Sequence, residues 1–197
     1  MICKKAMARA KTSMRKLSTP TRERLEAARP RNGFFPPQRG LEAGYHPFLA
    51  LLPGALESPA LRLVGTDRFP GRMVLQTANV CLVSTQGYCW VDETVPCIIL
   101  TQSYYETGSD FDLYLDLLHE ATHIRQVLEG RDVWDQTCPY HKRPTEIEGY
   151  AVAVSECRRL GVSEKDIIAH LSNPWLTDAQ VAELLAGIDV FLAGHGP

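Results

Sequence analysis

His119, Glu120 and His123, in the run His119-Glu120-Ala121-Thr122-His123, are the residues whose types and spacing could do the most chemistry in this chain. On a helix, residues i and i+4 project from one side, so both imidazoles can reach a single metal ion at the roughly 2.0 to 2.1 Å of a Zn–N bond. Glu120 then falls beside the metal's open position, where a carboxylate can take a proton from a water made acidic by the metal. Those are the requirements of a minimal zinc hydrolase centre with Glu120 as general base. The bare pattern also arises by composition in about one chain in a hundred of this length, so the elements around it must agree.

They do agree. Ser109 or Asp110 offers an N-cap, and Phe111-Asp112-Leu113-Tyr114-Leu115-Asp116-Leu117-Leu118 leads into the motif with apolar residues spread widely enough for a mostly buried helix. Gly130 stops it, which predicts a helix over 110–129. Upstream, Val95-Pro96-Cys97-Ile98-Ile99-Leu100-Thr101 reads as a strand. Downstream, Pro144 suits a first helical turn, and Thr145 with Glu148 has capping-box spacing, which predicts a second helix over 145–160.

A strand followed by an H-E-x-x-H helix resembles the arrangement of zincin peptidases. That resemblance, which covers about residues 95–155, implies an α+β, zincin-like fold: a small antiparallel or mixed sheet packed on the active-site helix, with a helical C-terminal part. Two histidines hold zinc weakly, so a third protein ligand is required. The metzincin continuation is absent, because Ile124-Arg125-Gln126-Val127-Leu128-Glu129-Gly130 has no third His. A Glu near the start of a helix some twenty residues on resembles the ligand of gluzincins, both thermolysin-like and small ImmA-like. There the Glu commonly stands in an E-x-x-A-D or E-x-E-A context, and aligning Gly149-Tyr150 with the small-then-polar pair selects Glu146. Glu148 is the alternative; residues i and i+2 point about 200° apart, so only one of the two can face the metal. The chain departs from the family at Tyr150, where many relatives have an Asp that holds the first His. Asp116 or Asp112 is the substitute to look for.

The connector from Arg131 to Lys142 is chemically dense. Tyr140 and His141 are candidates to stabilise an oxyanion opposite the metal, against the plainer reading of ordinary loop residues. Cys138 could supply a thiolate that fills the fourth metal position, or be a simple free thiol. Gln126, in H-E-x-x-H-x-x-Q, faces the ligand side of the helix and is placed to orient a neighbour.

The remaining composition sets bounds. The chain has 197 residues, 45% hydrophobic content and net charge −2, enough for one compact core. No apolar run approaches the roughly 18 residues of a membrane span. Six cysteines, at 3, 81, 89, 97, 138 and 157, show no C-x-x-C spacing, which argues against a ribbon-type zinc site. Cys81 and Cys89 could face each other across a hairpin turning at Ser84-Thr85-Gln86-Gly87. Without a secretory signal, reduced thiols and a cytoplasmic location are the default. Residues 1–33 hold ten Lys or Arg against Glu23 and Glu26, and the stretch 1–40 reads as a basic arm and linker ahead of a single domain over 41–197. The arm has three readings: a disordered solvated tail, a contact to nucleic acid or an anionic surface, and an organelle transit peptide. Further elements are a short helix at 47–56, strands at 61–65, 73–83 and 88–91, and C-terminal helices at 163–171 and 177–192, capped by Ser163 and Thr177. The functional expectation is a zinc-dependent peptidase acting on a peptide or protein substrate. The competing expectation is a regulatory or nucleic-acid-associated module with a structural zinc.

Overall fold

The computed structural model describes residues 34–195; the basic arm, with its three readings, lies outside them. The described part is α+β. Strand β1 (Gly44–Pro47) leads into a one-turn helix α1 (Phe48–Leu51) and a 3-10 turn (Pro53–Glu57). Helices α2 (Leu61–Val64) and α3 (Gly71–Thr77) follow, then strands β2 (Asn79–Val83), β3 (Cys89–Asp92) and β4 (Cys97–Thr101). The rest is helical: α4 (Gln102–Thr107), α5 (Asp110–Leu128), a 3-10 turn (Tyr140–Lys142), α6 (Pro144–Arg159), α7 (Glu164–Leu171) and α8 (Asp178–Gly194). Among the described residues no helix is long and apolar enough to cross a membrane.

The four strands form one mixed sheet in the order β1-β2-β4-β3, with β2 parallel to β4 and the other pairs antiparallel. After β2 the chain runs to the far edge as β3, then turns back through Glu93–Pro96 to fill the centre as β4. Cys-Ile-Ile-Leu-Thr of β4 is buried almost end to end, as a central strand should be. This order overturns two expectations. Cys81 and Cys89 are not cross-strand neighbours, because β4 stands between their strands, and both are free thiols. Leu61–Val64 is helical rather than extended, with Gly65 as its extended C-cap, and 73–83 divides into the end of α3 and strand β2, because Ala78 breaks the helix in an extended conformation.

Helix α5 starts where Ser109 Oγ accepts from Asp112 N, and ends before Gly130, whose φ of 76° only glycine adopts freely. It packs on β3 and β4 on one side and on α6 on the other, so apolar residues surround it: Phe111, Leu113, Leu115, Leu117, Leu118 and Ala121 are all fully buried. Its buried Tyr114 hydroxyl joins Ser58 Oγ and Glu156 Oε2, each at 2.8 Å, which ties α5 to α6 through a satisfied polar contact. Ser163 and Thr177 cap α7 and α8 as expected, the latter in a full capping box with Gln180. Val181, Leu184 and Ile188 form the buried stripe of α8.

Residues 34–40 are not a free linker. Phe34 is buried edge-on against Phe111 and Tyr114, and Arg39 pairs with Asp110 at 2.7 Å. The Pro and Gly content that suggested a tether instead lets this segment lie flat along the start of α5.

Candidate metal centre

Helix spacing places His119 and His123 one turn apart on the α6 side of α5, with their Nε2 atoms 2.9 Å from each other. From α6, Glu146 brings Oε2 to 3.6 Å from His119 Nε2 and 3.7 Å from His123 Nε2. A triangle with these sides leaves a point about 2.0 Å from all three atoms, the Zn–N and Zn–O distance. The donor set therefore fits a divalent metal: two imidazoles, one carboxylate and a separation matched to a single ion. His119, Glu120, His123 and Glu146 are 5–8% exposed, dry enough to strengthen electrostatics.

The choice between the two downstream carboxylates follows from what surrounds them. Glu146 offers Oε2 to the histidines while Oε1 lies 3.5 Å from Arg143 Nη1. Glu148 turns to the other side, taking Arg125 Nη2 at 2.7 Å, Arg131 Nη2 at 2.7 Å and Gln126 Nε2 at 3.1 Å. The group of three is thus His119, His123 and Glu146, and Glu148 lies outside it.

Gln126 does orient a neighbour. Its Nε2 donates to Thr145 O and Glu148 Oε2, so its Oε1 is the acceptor for His123 Nδ1 at 2.7 Å. That bond puts the His123 proton on Nδ1 and leaves Nε2 a lone pair for metal. His119 is held differently. Asp116 bonds the Tyr104 hydroxyl and Asp112 accepts from Ser109, so neither takes the place of the family's Asp, and His119 Nδ1 has no hydrogen-bond partner. Packing fixes this ring instead: Tyr150 stands edge-on at 4.4 Å, and a Cβ on Gly149 would come within 2.9 Å of His119 Cε1. Gly149 is therefore needed for the close approach of α6, a role that a glycine inside a helical pattern only hints at.

Electrostatics set the protonation states. Burial, followed by the neighbouring His123, lowers His119 to about 4. Burial also opposes charge on His123, but Glu146 outweighs it and raises the ring to about 9. Burial would raise Glu146, yet His123 and His119 together hold it well below the usual carboxylate range. Without a metal the proton therefore sits on His123 rather than His119, and a metal at Nε2 would displace it. Burial lifts Glu120 to about 7, in the range of a working acid–base group, and a cation beside it would pull it back down. The Cys89 thiol on β3 approaches Glu120 Oε1 at 3.8 Å, a contact that sequence spacing does not reveal.

Of the two connector residues, Tyr140 joins the site and His141 does not. Tyr140 donates or accepts with Tyr150 at 2.8 Å between hydroxyls, and both phenols are raised by burial and by Glu146, so they keep their protons. His141 is buried against Glu183 of α8, with Nε2 3.4 Å from Oε2. Cys138 stays outside the ligand group, as a half-buried free thiol. The expected capping box of α6 is absent: Arg143 is the N-cap and makes no side-chain cap bond, Thr145 Oγ1 is unpartnered, and Glu148 is held by the arginines. Two clefts, of about 360 and 270 Å³, open on the arginine side of the helix pair, and neither is lined by His119, Glu120, His123 or Glu146.

Comparison with protein-family models, curated proteins and solved structures finds no match for this chain, so its chemistry rests on the geometry of its own residues.

Proposed function

We propose that the protein is a zinc-dependent metallohydrolase of gluzincin type acting on peptides, with His119, His123 and Glu146 as metal ligands and Glu120 as general base. The convergence of His119 Nε2, His123 Nε2 and Glu146 Oε2 carries this reading. Three protein donors leave a coordination position for water or substrate, as catalytic zinc sites require. Zinc bound there would supply Lewis-acid polarisation and a water acidified towards neutrality.

The chain's own groups fill the remaining roles. Glu120, the residue after His119, accepts a proton at its carboxylate and returns it to the leaving amine. The Tyr140 and Tyr150 hydroxyls, beside His119 and still protonated, are the donors available to an oxyanion, which leaves no such role for His141. Strand β3 is a sheet edge whose Cys89 approaches Glu120, so an extended peptide pairing with that edge passes the general base. A structural zinc staple would need a fourth protein donor, and among the described residues the group has three.

The test is Glu120→Gln, assayed with wild type against a peptide library after zinc loading. The variant should keep the fold and stoichiometric zinc and lose about 10²–10⁴ in rate. Equal cleavage by both proteins would remove Glu120 from the mechanism.

A further inference from the structure

The four-stranded sheet packs on α5 through one face only. Val80, Leu82, Val91, Ile98 and Leu100 lie on that face and are at most 2% exposed. Strand residues alternate between faces, so the register sets Tyr45, Cys81, Ile99 and Trp90 in one row across all four strands on the opposite face. Among the described residues no element packs on that row as α5 packs on the other side: Tyr45 is 66% exposed, and Cys81, Ile99 and Trp90 are half-buried. A solvated outer face is ordinarily polar, and this row is apolar and aromatic. Its rim is acidic. Glu42 precedes β1, Asp92 ends β3 and Glu93 follows it, whereas no Lys or Arg stands between Arg72 and Arg125.

Residues 1–33 match this face in charge, pattern and reach. They hold ten Lys or Arg against two Glu, while the rest of the chain holds eleven against 21 Asp or Glu. Met7, Ala10, Met14 and Leu17 recur at helical spacing among Lys and Arg, so a helix there has one apolar side and a basic remainder. From 7 to 17 such a helix rises about 15 Å, and a row of four strands is about 14 Å across. Residues 18–33 supply about 50 Å of further chain, more than the diameter of about 40 Å for a domain of this size. They join it at Phe34, which is anchored on Phe111 and Tyr114. We propose that residues 7–17 dock as a basic amphipathic helix across the outer face of the sheet. Met7, Ala10, Met14 and Leu17 cover the row of Tyr45, Cys81, Ile99 and Trp90, and the flanking cations meet Glu42, Asp92 and Glu93. The arm then lies on the face of the sheet away from α5, so the docking does not depend on the metal reading.

Zero-length carbodiimide coupling of the full chain at low protein concentration, read by peptide mass spectrometry, tests this, because Lys4, Lys5, Lys11 and Lys16 are four of the six lysines. They should couple to Glu42, Asp92 and Glu93 in preference to exposed acids elsewhere, such as Asp178 on α8. In an equal mixture of ¹⁴N- and ¹⁵N-labelled protein, the two halves of each linked pair should carry the same label. Tyr45→Lys, at a 66% exposed position, removes apolar contact and adds like charge, and should cut the yield about two- to tenfold. The wild-type pattern decides the matter by itself if that variant does not fold. Absence of links to the three acids, equal coupling to Asp178, mixed-label pairs that give the face to a second copy, or an undiminished yield in folded Tyr45→Lys would each overturn the proposal.

Discussion

On one side of the contact between α5 and α6, Glu146 meets two imidazoles and keeps a single guanidinium at its other oxygen; on the opposite side, Glu148 is saturated by Arg125, Arg131 and Gln126. The residues are two positions apart on one helix and both are depressed carboxylates. Only the first faces two imidazoles that a metal can recruit. The second is satisfied by fixed cations and serves as a strut that steadies Gln126 and, through it, His123. Chemistry and support are thus built from the same residue type by what the partner helix places opposite each one.

The sharpest way to break this contrast is to remove each carboxylate in turn. Glu146→Gln should lower zinc affinity by more than the 10–100-fold typical of an outer partner, whereas Glu148→Gln should change it by at most about tenfold, as read by competition with a chromophoric chelator. The reverse ranking would exchange their roles. Stability should rank the other way, because Glu148→Gln leaves Arg125, buried between Val64 O and Glu129, short of a counter-charge. A loss of about 3 kcal/mol in denaturant unfolding is expected.

That same loss should depend on pH. Burial pushes the Glu148 carboxyl up, but Arg131, Arg125 and Gln126 outweigh it and hold it at about 2, below its ordinary 4.5. Its contribution is therefore complete above pH 4.5 and disappears as pH falls towards 2. Unfolding of wild type and Glu148→Gln should differ fully at pH 6 and converge in acid; a constant difference would show that charge is not the cause.

Two smaller effects probe how the histidines are held. Gln126→Leu removes the acceptor for His123 Nδ1 and should weaken zinc about 10- to 100-fold. Gly149→Ala, whose Cβ would press on the His119 ring, should weaken zinc several-fold with a stability loss of about 1–3 kcal/mol from overpacking. If Gly149→Ala binds zinc as wild type does, the ring has room that the packing denies.

Much of this was legible where the cause is local. The two-His face, the Ser109, Ser163 and Thr177 caps, the Gly130 stop and the role of Gln126 all follow from spacing along one helix. What the sequence hid was long-range. β4 inserting between β2 and β3 separated Cys81 from Cys89, and Phe34 packing on Phe111 and Tyr114, with Arg39 reaching Asp110 across 71 positions, tied the expected linker to α5. The apolar run Met73-Val74-Leu75 fits a strand or a helix equally, and tertiary packing made it helical. Glu146 over Glu148 was indicated by alignment to a resembled motif, but the physical reason, the Arg125 and Arg131 pair, lies on other segments. His141 was misplaced because its partner Glu183 is on α8, far along the chain.

The central claim is that His119, His123 and Glu146 hold one metal ion. X-ray absorption at the zinc edge of the loaded protein tests it most directly. The expected result is one zinc per chain bound only by nitrogen and oxygen near 2.0–2.1 Å, with imidazole scattering from two histidines. A sulfur shell near 2.3 Å, which would bring in Cys138 or Cys89, or an unchanged spectrum in His119→Ala with His123→Ala, would contradict it.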